Sequence, residues 1–431
     1  MLTHNAITYT LDHLLKVAFP NFNHTIETDG NHAEVHVAGI SIVFPIMDKA
    51  AYLKMMDGTL ATEPLASPTG REIPFFRNSD GSGIYTLEEK TVTLHHDFAS
   101  LPFVMLSRAD ELLTQEHDTH QRALYKTSIA AKYGLIDFPI VDEYALILRS
   151  IIQKEFPEIQ IIPRKSAFIS THDIDLISRF GKFYANMRTL AADLFKYRNW
   201  EMFKSSMAQY FDCHRDELKD PYILAAEMLL GQDLAAKRKS LFFFKSLRSG
   251  EPDATYDIFG AQAAHLVRTI AEKGGEIGLH GSYFSYDHSS RLNKERIYLE
   301  NVAECHITQG RQHYLRFDVR KTPSVWQSAG LTDDYTLGYA EQEGFRCGTC
   351  HPYLLYDIAN DKPLPVTEHP LIAMDGTFQQ YQGITPQQAL QKIRQLHATC
   401  EAVEGDFILL WHNTFVWREY LPWYEGVFMQ L

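Results

Sequence analysis

Residues 166–175 read SAFISTHDID, and the fold turns on how this stretch is understood. Its first half is rich in aromatic and β-branched side chains, the composition of a buried strand, and the run then breaks into two acids and a histidine. Side chains alternate across a strand, so Asp173 and Asp175 share one face while His172 and Ile174 share the other. Five further segments repeat an apolar run finished by polar chemistry: EIGLHGS (276–282), RQHYLRF (311–317), GFRCGTCH (344–351), LIAMDGT (371–377) and FILLWHN (407–413). Polar groups placed repeatedly where buried strands run out are what an α/β barrel needs to assemble a site at one end.

Helical patterns separate these segments. The last crossover is the best marked: Thr385, Pro386 and Gln388 form a capping box with proline at the first helical position. Leu390, Ile393, Leu396, Cys400 and Val403 supply the apolar stripe, and Gly405 the expected stop. With AFIST, LFFFKS, EIGLH, RQHYL, GFRCG, LIAM and DFILLW as strands, the expected class is α/β, with residues 166–431 forming a distorted seven-stranded (β/α) barrel. A mostly helical insertion is expected at about 178–239, long enough to form a lid, although an extra stabilising layer is the more common role of such an insertion. Residues 1–165 read as a separate, smaller α+β domain of unassigned role. It carries a helix from Thr10 to Phe19, a strand pair in HAEVHVAGISIVFP turned at Gly39, a strand in TVTLHH, helical periodicity in DFASLPFVMLSRADELLTQ, and an apolar helix from Tyr144 to Phe156.

The 431 residues, 45% of them hydrophobic, suffice for a large core and favour two domains over one. A net charge of -13, with no basic run beyond Lys237-Arg238-Lys239, argues against nucleic acid as a partner. No stretch has the length of a membrane span, and the N-terminus lacks a basic region followed by a long apolar core, so a cytoplasmic location is expected. Nothing in the sequence sets the oligomeric state. Five scattered cysteines do not make a disulfide framework. Cys347-Gly-Thr-Cys350-His351 spells the C-x-x-C-H of haem attachment, but two reduced thiols at a strand end are the expectation, and no haem.

Two carboxylates held together, as in Asp173 and Asp175, are a metal-and-base candidate, because a nearby cation stabilises both as anions and lets one act as proton acceptor. The same strand parity pairs His280 with Ser282, and Arg311 with His313, at two further strand ends. Singly, His280, Arg311 and His412 are ordinary structural residues. Recurring at corresponding points of successive units, they read as one site.

THDID, then HGS after EIGL, then RQHYL and finally LLWHN resemble the ordered motifs of the polysaccharide deacetylase family, the NodB-homology domain of carbohydrate esterases, over roughly Ser166 to the C-terminus. The likeness is greatest to a divergent branch with an N-terminal module and the phrases RQHYLR, GFRCGT and WHN, found with glycan-biosynthesis proteins. The resemblance implies Asp173 as catalytic base, Asp175 and His280 as metal ligands, Arg311 steadying the base and His412 as general acid. It implies removal of an N- or O-acetyl group from a carbohydrate by a divalent metal, zinc foremost, with cobalt, nickel or manganese as alternatives. Such motifs usually place a second histidine four residues after the first, where this chain has Phe284. Zinc catalysis normally uses three protein ligands, so a replacement is required. His313 is the best candidate, Ser282 a weaker one, and His288 lies too far along to take the same role. Ser282, Tyr314, Arg346 and Trp411 are the expected substrate contacts, the substrate being an N-acetylated sugar or glycan. Phe284 also motivates the alternative, a catalytically silent scaffold that binds glycans or partner enzymes.

Overall fold

Three sheets hold the strands of the computed structural model, which describes residues 2–78, 83–180, 183–247, 252–253 and 256–431. β1 (His24–Thr28), β2 (His32–Val37) and β3 (Ile40–Pro45) open a five-stranded sheet. β4 (Glu63–Ala66), β5 (Glu72–Arg77) and β8 (His96–Asp97) form a small three-stranded one, and β6 (Tyr85–Glu88) and β7 (Thr91–Leu94) complete the first, in the order β1-β2-β3-β7-β6. Ala38 and Gly39, both at positive φ, make the two-residue turn between β2 and β3, which suits the twist of a hairpin. Val35, Ile42 and Phe44 share one hydrophobic cluster with Leu11, Leu14 and Leu15 of the helix His4–Ala18. That helix starts earlier than its apolar stripe announces, because Thr3 caps it by accepting from the Ala6 N–H.

The third sheet has nine strands: β9 (Phe168–Ile174), β10 (Lys239–Phe244), β11 (Glu276–Gly281), β12 (Gln309–Gln312), β13 (Asp333–Asp334), β14 (Tyr353–Asp357), β15 (Lys362–Glu368), β16 (Ala373–Met374) and β17 (Phe407–Leu410). Their order is β14-β15-β13-β12-β11-β10-β9-β17-β16, parallel throughout except where β14 pairs with β15. The ladder therefore ends at β14 and β16, and the expected closed seven-stranded barrel is not formed by it. The sheet curls nonetheless. Ile169, Leu241, Phe243, Tyr335, Leu371, Ile408 and Leu410 pack together on its inner face, and the Leu371 N–H reaches the Leu337 carbonyl at 3.1 Å.

GFRCG is not a strand. Gly344 and Gly348 take φ of 115° and 67°, which a strand does not use, and a Cβ on Gly344 would lie 2.2 Å from the Ile136 carbonyl oxygen. Its expected place in the sheet is filled by β13 and β15, which sequence patterning overlooks because one is two aspartates and the other contains Pro363 and Pro365. Phe242, Phe243 and Phe244 of β10 are fully buried, each worth about 1.5–3 kcal/mol of apolar transfer.

The capping box of Thr385 and Gln388 heads the helix Pro386–Ala402 as expected. The stop differs: Glu404, at φ 62°, makes the left-handed turn, and Gly405 serves close packing, since a Cβ there would sit 2.2 Å from Cys350 Sγ. The expected insertion at 178–239 is helical over Phe183–Phe195, Trp200–Arg215 and Pro221–Ala235, with residues 181–182 outside the described ones. The third of these helices buries Ala225, Ala226, Leu229 and Leu230 and leads into β10 as a crossover helix. Among the described residues, no helix is long and apolar enough to cross a membrane.

Candidate active site at the strand ends

β9 delivers Asp173 at its end and Asp175 just beyond it. Phe243 pairs with Asp173 and Phe244 with Ile174, so the chain leaving β10 carries Lys245 alongside Asp175. His280 lies on β11 opposite Arg311 of β12. The Arg311 guanidinium, fully buried over the Phe243 ring, donates to Asp173 Oδ1 at 2.9 Å and to the Tyr335 carbonyl at 2.8 Å. After β12 the backbone passes through two left-handed residues, Tyr314 (φ 60°) and Leu315 (φ 55°), at a cost of about 1–2 kcal/mol each. Arg122 donates to the Tyr314 carbonyl at 2.9 Å, and Arg316 to the His120 carbonyl at 3.0 Å, which holds this turn.

The ligand atoms of Asp175, His280 and His313 lie within 4.8 Å of one another. His280 Nε2 and His313 Nε2 stand 3.4 and 3.5 Å from Asp175 Oδ1. The opposite ring nitrogens are occupied: His280 Nδ1 bonds the Arg311 carbonyl at 3.0 Å, and His313 Nδ1 pairs with Asp253 Oδ1 at 2.9 Å. A ring that donates from Nδ1 turns an Nε2 lone pair to the centre, the orientation that histidine ligands take from their outer partners. One carboxylate and two imidazoles at these separations fit a divalent ion. Lys245 enters the same cluster: its ammonium donates to Asp175 Oδ1 at 2.5 Å and lies 2.9 Å from His313 Nε2.

Charge follows from these contacts. Burial alone raises the Asp173 pKa, but His280, Arg311 and His412 outweigh it and hold the carboxyl below its ordinary range. Asp175 is likewise opposed by burial and held well below by Lys245 and the histidines. Burial lowers His313 to about 4, keeping the ring neutral and available as a ligand. His412 goes the other way. Burial disfavours its charge, yet Asp375, with Oδ1 2.8 Å from Nδ1, lifts it to about 9 and keeps it an imidazolium at neutral pH. Its Nε2 faces Asp175 Oδ2 at 3.7 Å. Asp375 also accepts the His412 backbone N–H at 2.7 Å, so one carboxylate fixes both backbone and ring.

These groups border a cavity of about 250 Å³, with Asp173, Asp175, His280, His313 and His412 on its polar side and Tyr314, Met374, Leu410 and Phe415 on its apolar side. Arg122 and Tyr381 stand at the wall and bond each other at 2.9 Å. The structure thus brings together Asp173, Asp175, His280, Arg311, His313, Tyr314 and His412. Ser282, Arg346 and Trp411 lie in other contacts: Ser282 Oγ donates to Glu295, Arg346 to Glu111 and the Gly338 carbonyl, and the Trp411 indole to the Phe415 carbonyl. Phe284 is 47% exposed and joins no ligand cluster among the described residues. Cys347 and Cys350 are buried thiols pushed up by burial, Cys347 to about 12.

Sequence reasoning missed Asp375, Lys245, Asp253, Arg122 and Tyr381. Asp375 and Lys245 end the apolar runs LIAM and LFFF, the same signal that marked the other strand ends. Asp253, Arg122 and Tyr381 sit in polar stretches whose patterning gives no such cue.

A family model described as a family of unknown function, DUF7033, matches residues 2–157 and stops before β9. No curated protein matches the chain. Among solved structures, the chain is similar to a candidate polysaccharide deacetylase from Mycobacterium smegmatis, with 20% identity, a TM-score of 0.37, and coverage of 59% of this chain and 79% of that one. It is also similar to a CE4-family pseudoenzyme from Bacillus anthracis, with 10% identity, a TM-score of 0.29, and coverage of 58% and 56%. A mutant of a CE4-family pseudoenzyme with restored enzymatic activity aligns with the same TM-score of 0.29, at 11% identity and 58% of each chain.

Proposed function

We propose that the chain is a divalent-metal-dependent hydrolase that removes an N- or O-acetyl group from a carbohydrate. The observation that supports this reading is the meeting, in one cavity, of a buried carboxylate held anionic by Arg311, a three-ligand cluster and a histidine held protonated by Asp375.

Asp175, His280 and His313 are the residues that hold the ion, zinc foremost. Such an ion supplies Lewis acidity toward a carbonyl oxygen and toward water. Asp173 accepts the proton of the attacking water, and its bond to Arg311 fixes the carboxylate for that transfer. His412, on the other side of Asp175, gives a proton to the departing amine nitrogen or sugar oxygen, which leaves poorly without one. Tyr314 and Phe415 offer apolar faces of the kind that pack on sugar rings. The cavity volume lies just under the roughly 300–1,000 Å³ of small-molecule sites, which suits one acylated sugar unit more than an enclosed chain. We read residues 1–165 as a unit that lends Arg122 to the wall of a site built by residues 166–431, and we place the protein in the cytoplasm.

The test is acetate release from N- and O-acetylated monosaccharides and oligosaccharides by the full chain, with and without added zinc. Zinc-dependent release that Asp173→Asn abolishes is the expected result. No release from any acetylated sugar at saturating zinc sinks the reading. The second reading, a silent scaffold, is favoured by one observation: an ammonium already stands among the ligand atoms.

A further inference from the structure

Lys245 is the feature of this cluster that the proposed chemistry leaves unused. Its side chain is 3% exposed, and it reaches the cluster because Phe243 and Lys245 fall on the same face of the chain that leaves β10. Two of the three groups that ought to attract a cation already have one, since the ammonium bonds Asp175 Oδ1 and His313 Nε2.

We propose that Lys245 is the resident cation of the Asp175–His280–His313 cluster, and that a divalent ion enters only as the lysine side chain is displaced, which sets the affinity for the ion. This deepens the metal-site reading and rests on it. The three ligand atoms lie within 4.8 Å of one another, so an ion central to them and an ammonium 2.5 Å from one and 2.9 Å from another claim the same space. Like charges at such a separation repel strongly where water is excluded. The ammonium also removes the reason for an unpaired carboxylate to seek an ion, because Asp175 is satisfied without one. Free of metal, the cluster keeps its shape through Lys245. Loaded, it gives up two hydrogen bonds to the lysine, and the affinity falls by that amount and by the work of moving the ammonium.

The experiment is calorimetric titration of zinc chloride into the metal-stripped full chain, comparing the natural protein with Lys245→Met and Lys245→Gln, each also carrying His280→Ala as a control. One zinc per chain is expected in all three parents, with both lysine variants tighter than the natural protein by on the order of 10–100-fold, and no stoichiometric binding in the His280→Ala background. Equal affinities in the natural protein and the variants overturn the lysine proposal and leave the metal site standing. Absence of one-equivalent binding in the variants as well as in the natural protein overturns the metal site, and the lysine proposal with it. A second measurement needs no variant: amine-directed acylation of the natural protein, read by peptide mass mapping at Lys245. Labelling is expected to rise several-fold on zinc loading as the side chain leaves its buried position. Labelling that zinc leaves unchanged while calorimetry records one bound equivalent overturns displacement.

Discussion

Two of the molecule's histidine–aspartate pairs start from the neighbouring strands β9 and β17, and they sit in different settings. His412 pairs with Asp375 at the cavity, while His172 pairs with Asp233 at 2.8 Å on the opposite side of β9, with both side chains fully buried. His172 also bonds the Trp411 carbonyl through Nδ1 at 2.8 Å, and Ser240 donates to Asp233 at 2.6 Å. Asp173 follows His172, and His412 follows Trp411, so each strand sends one residue to the site and its neighbour to the structural pair. Chemical identity does not separate the two pairs; the face of the strand does.

The comparison is broken most severely if Asp173→Asn retains activity. This substitution keeps shape and removes the proposed base, and a loss of at least about a hundredfold in kcat on an acetylated sugar is expected with the unfolding midpoint little changed. Asp375→Asn probes the cavity pair itself. Because His412 is raised from its ordinary 6.5 to about 9, its charge stabilises the fold fully below pH 6.5, and that contribution is lost as pH rises through 9. The same titration places the alkaline limb of the rate profile near pH 9, and Asp375→Asn is expected to pull that limb toward 6.5 with about a tenfold loss at neutral pH. An unmoved limb assigns it to another group.

His172→Gln tests the other pair. It is expected to leave kcat within about twofold while lowering stability by about 1–3 kcal/mol in denaturant titration, because it disturbs buried hydrogen bonds away from the reacting groups. A large rate loss in a well-folded His172→Gln protein would erase the distinction. The smallest effect is expected from Arg122→Lys, which keeps the charge but not the forked geometry: KM rises several-fold at nearly constant kcat, measured on the same substrate.

Much of the site was legible because strand parity is a local rule. THDID alone separates Asp173 from His172, and RQHYL places His313 with Arg311, so a third ligand candidate followed once Phe284 closed the usual position. Parity overreached at Ser282, whose hydroxyl the helix residue Glu295 takes, whereas Trp411 was expected at the site as the neighbour of His412 and the same alternation sends it to the far face of its strand, among buried aromatics. Glycines at 344 and 348 defeated GFRCG as a strand, since their left-handed backbone serves close contacts with Ile136 and Ile140 that arise only in the folded chain. Prolines hid β15: Pro363 lies in the half of the strand that pairs with β14 alone, and the pairing with β13 falls at Thr367 and Glu368. Asp253 and Arg122 come from distant parts of the chain, and their roles exist only through tertiary contact.

Arg122 ties Asp118, the Tyr314 carbonyl and the Tyr381 hydroxyl into one knot, joining a segment near residue 120 to loops 192 and 259 residues downstream. A shortened version beginning at residue 166 would keep every proposed reacting group yet lose the brace on the left-handed turn beside His313. Such a trimmed chain should therefore present a slack, poorly shaped mouth, so that how well the reacting groups are aligned is decided partly by a stretch of protein that contributes none of them.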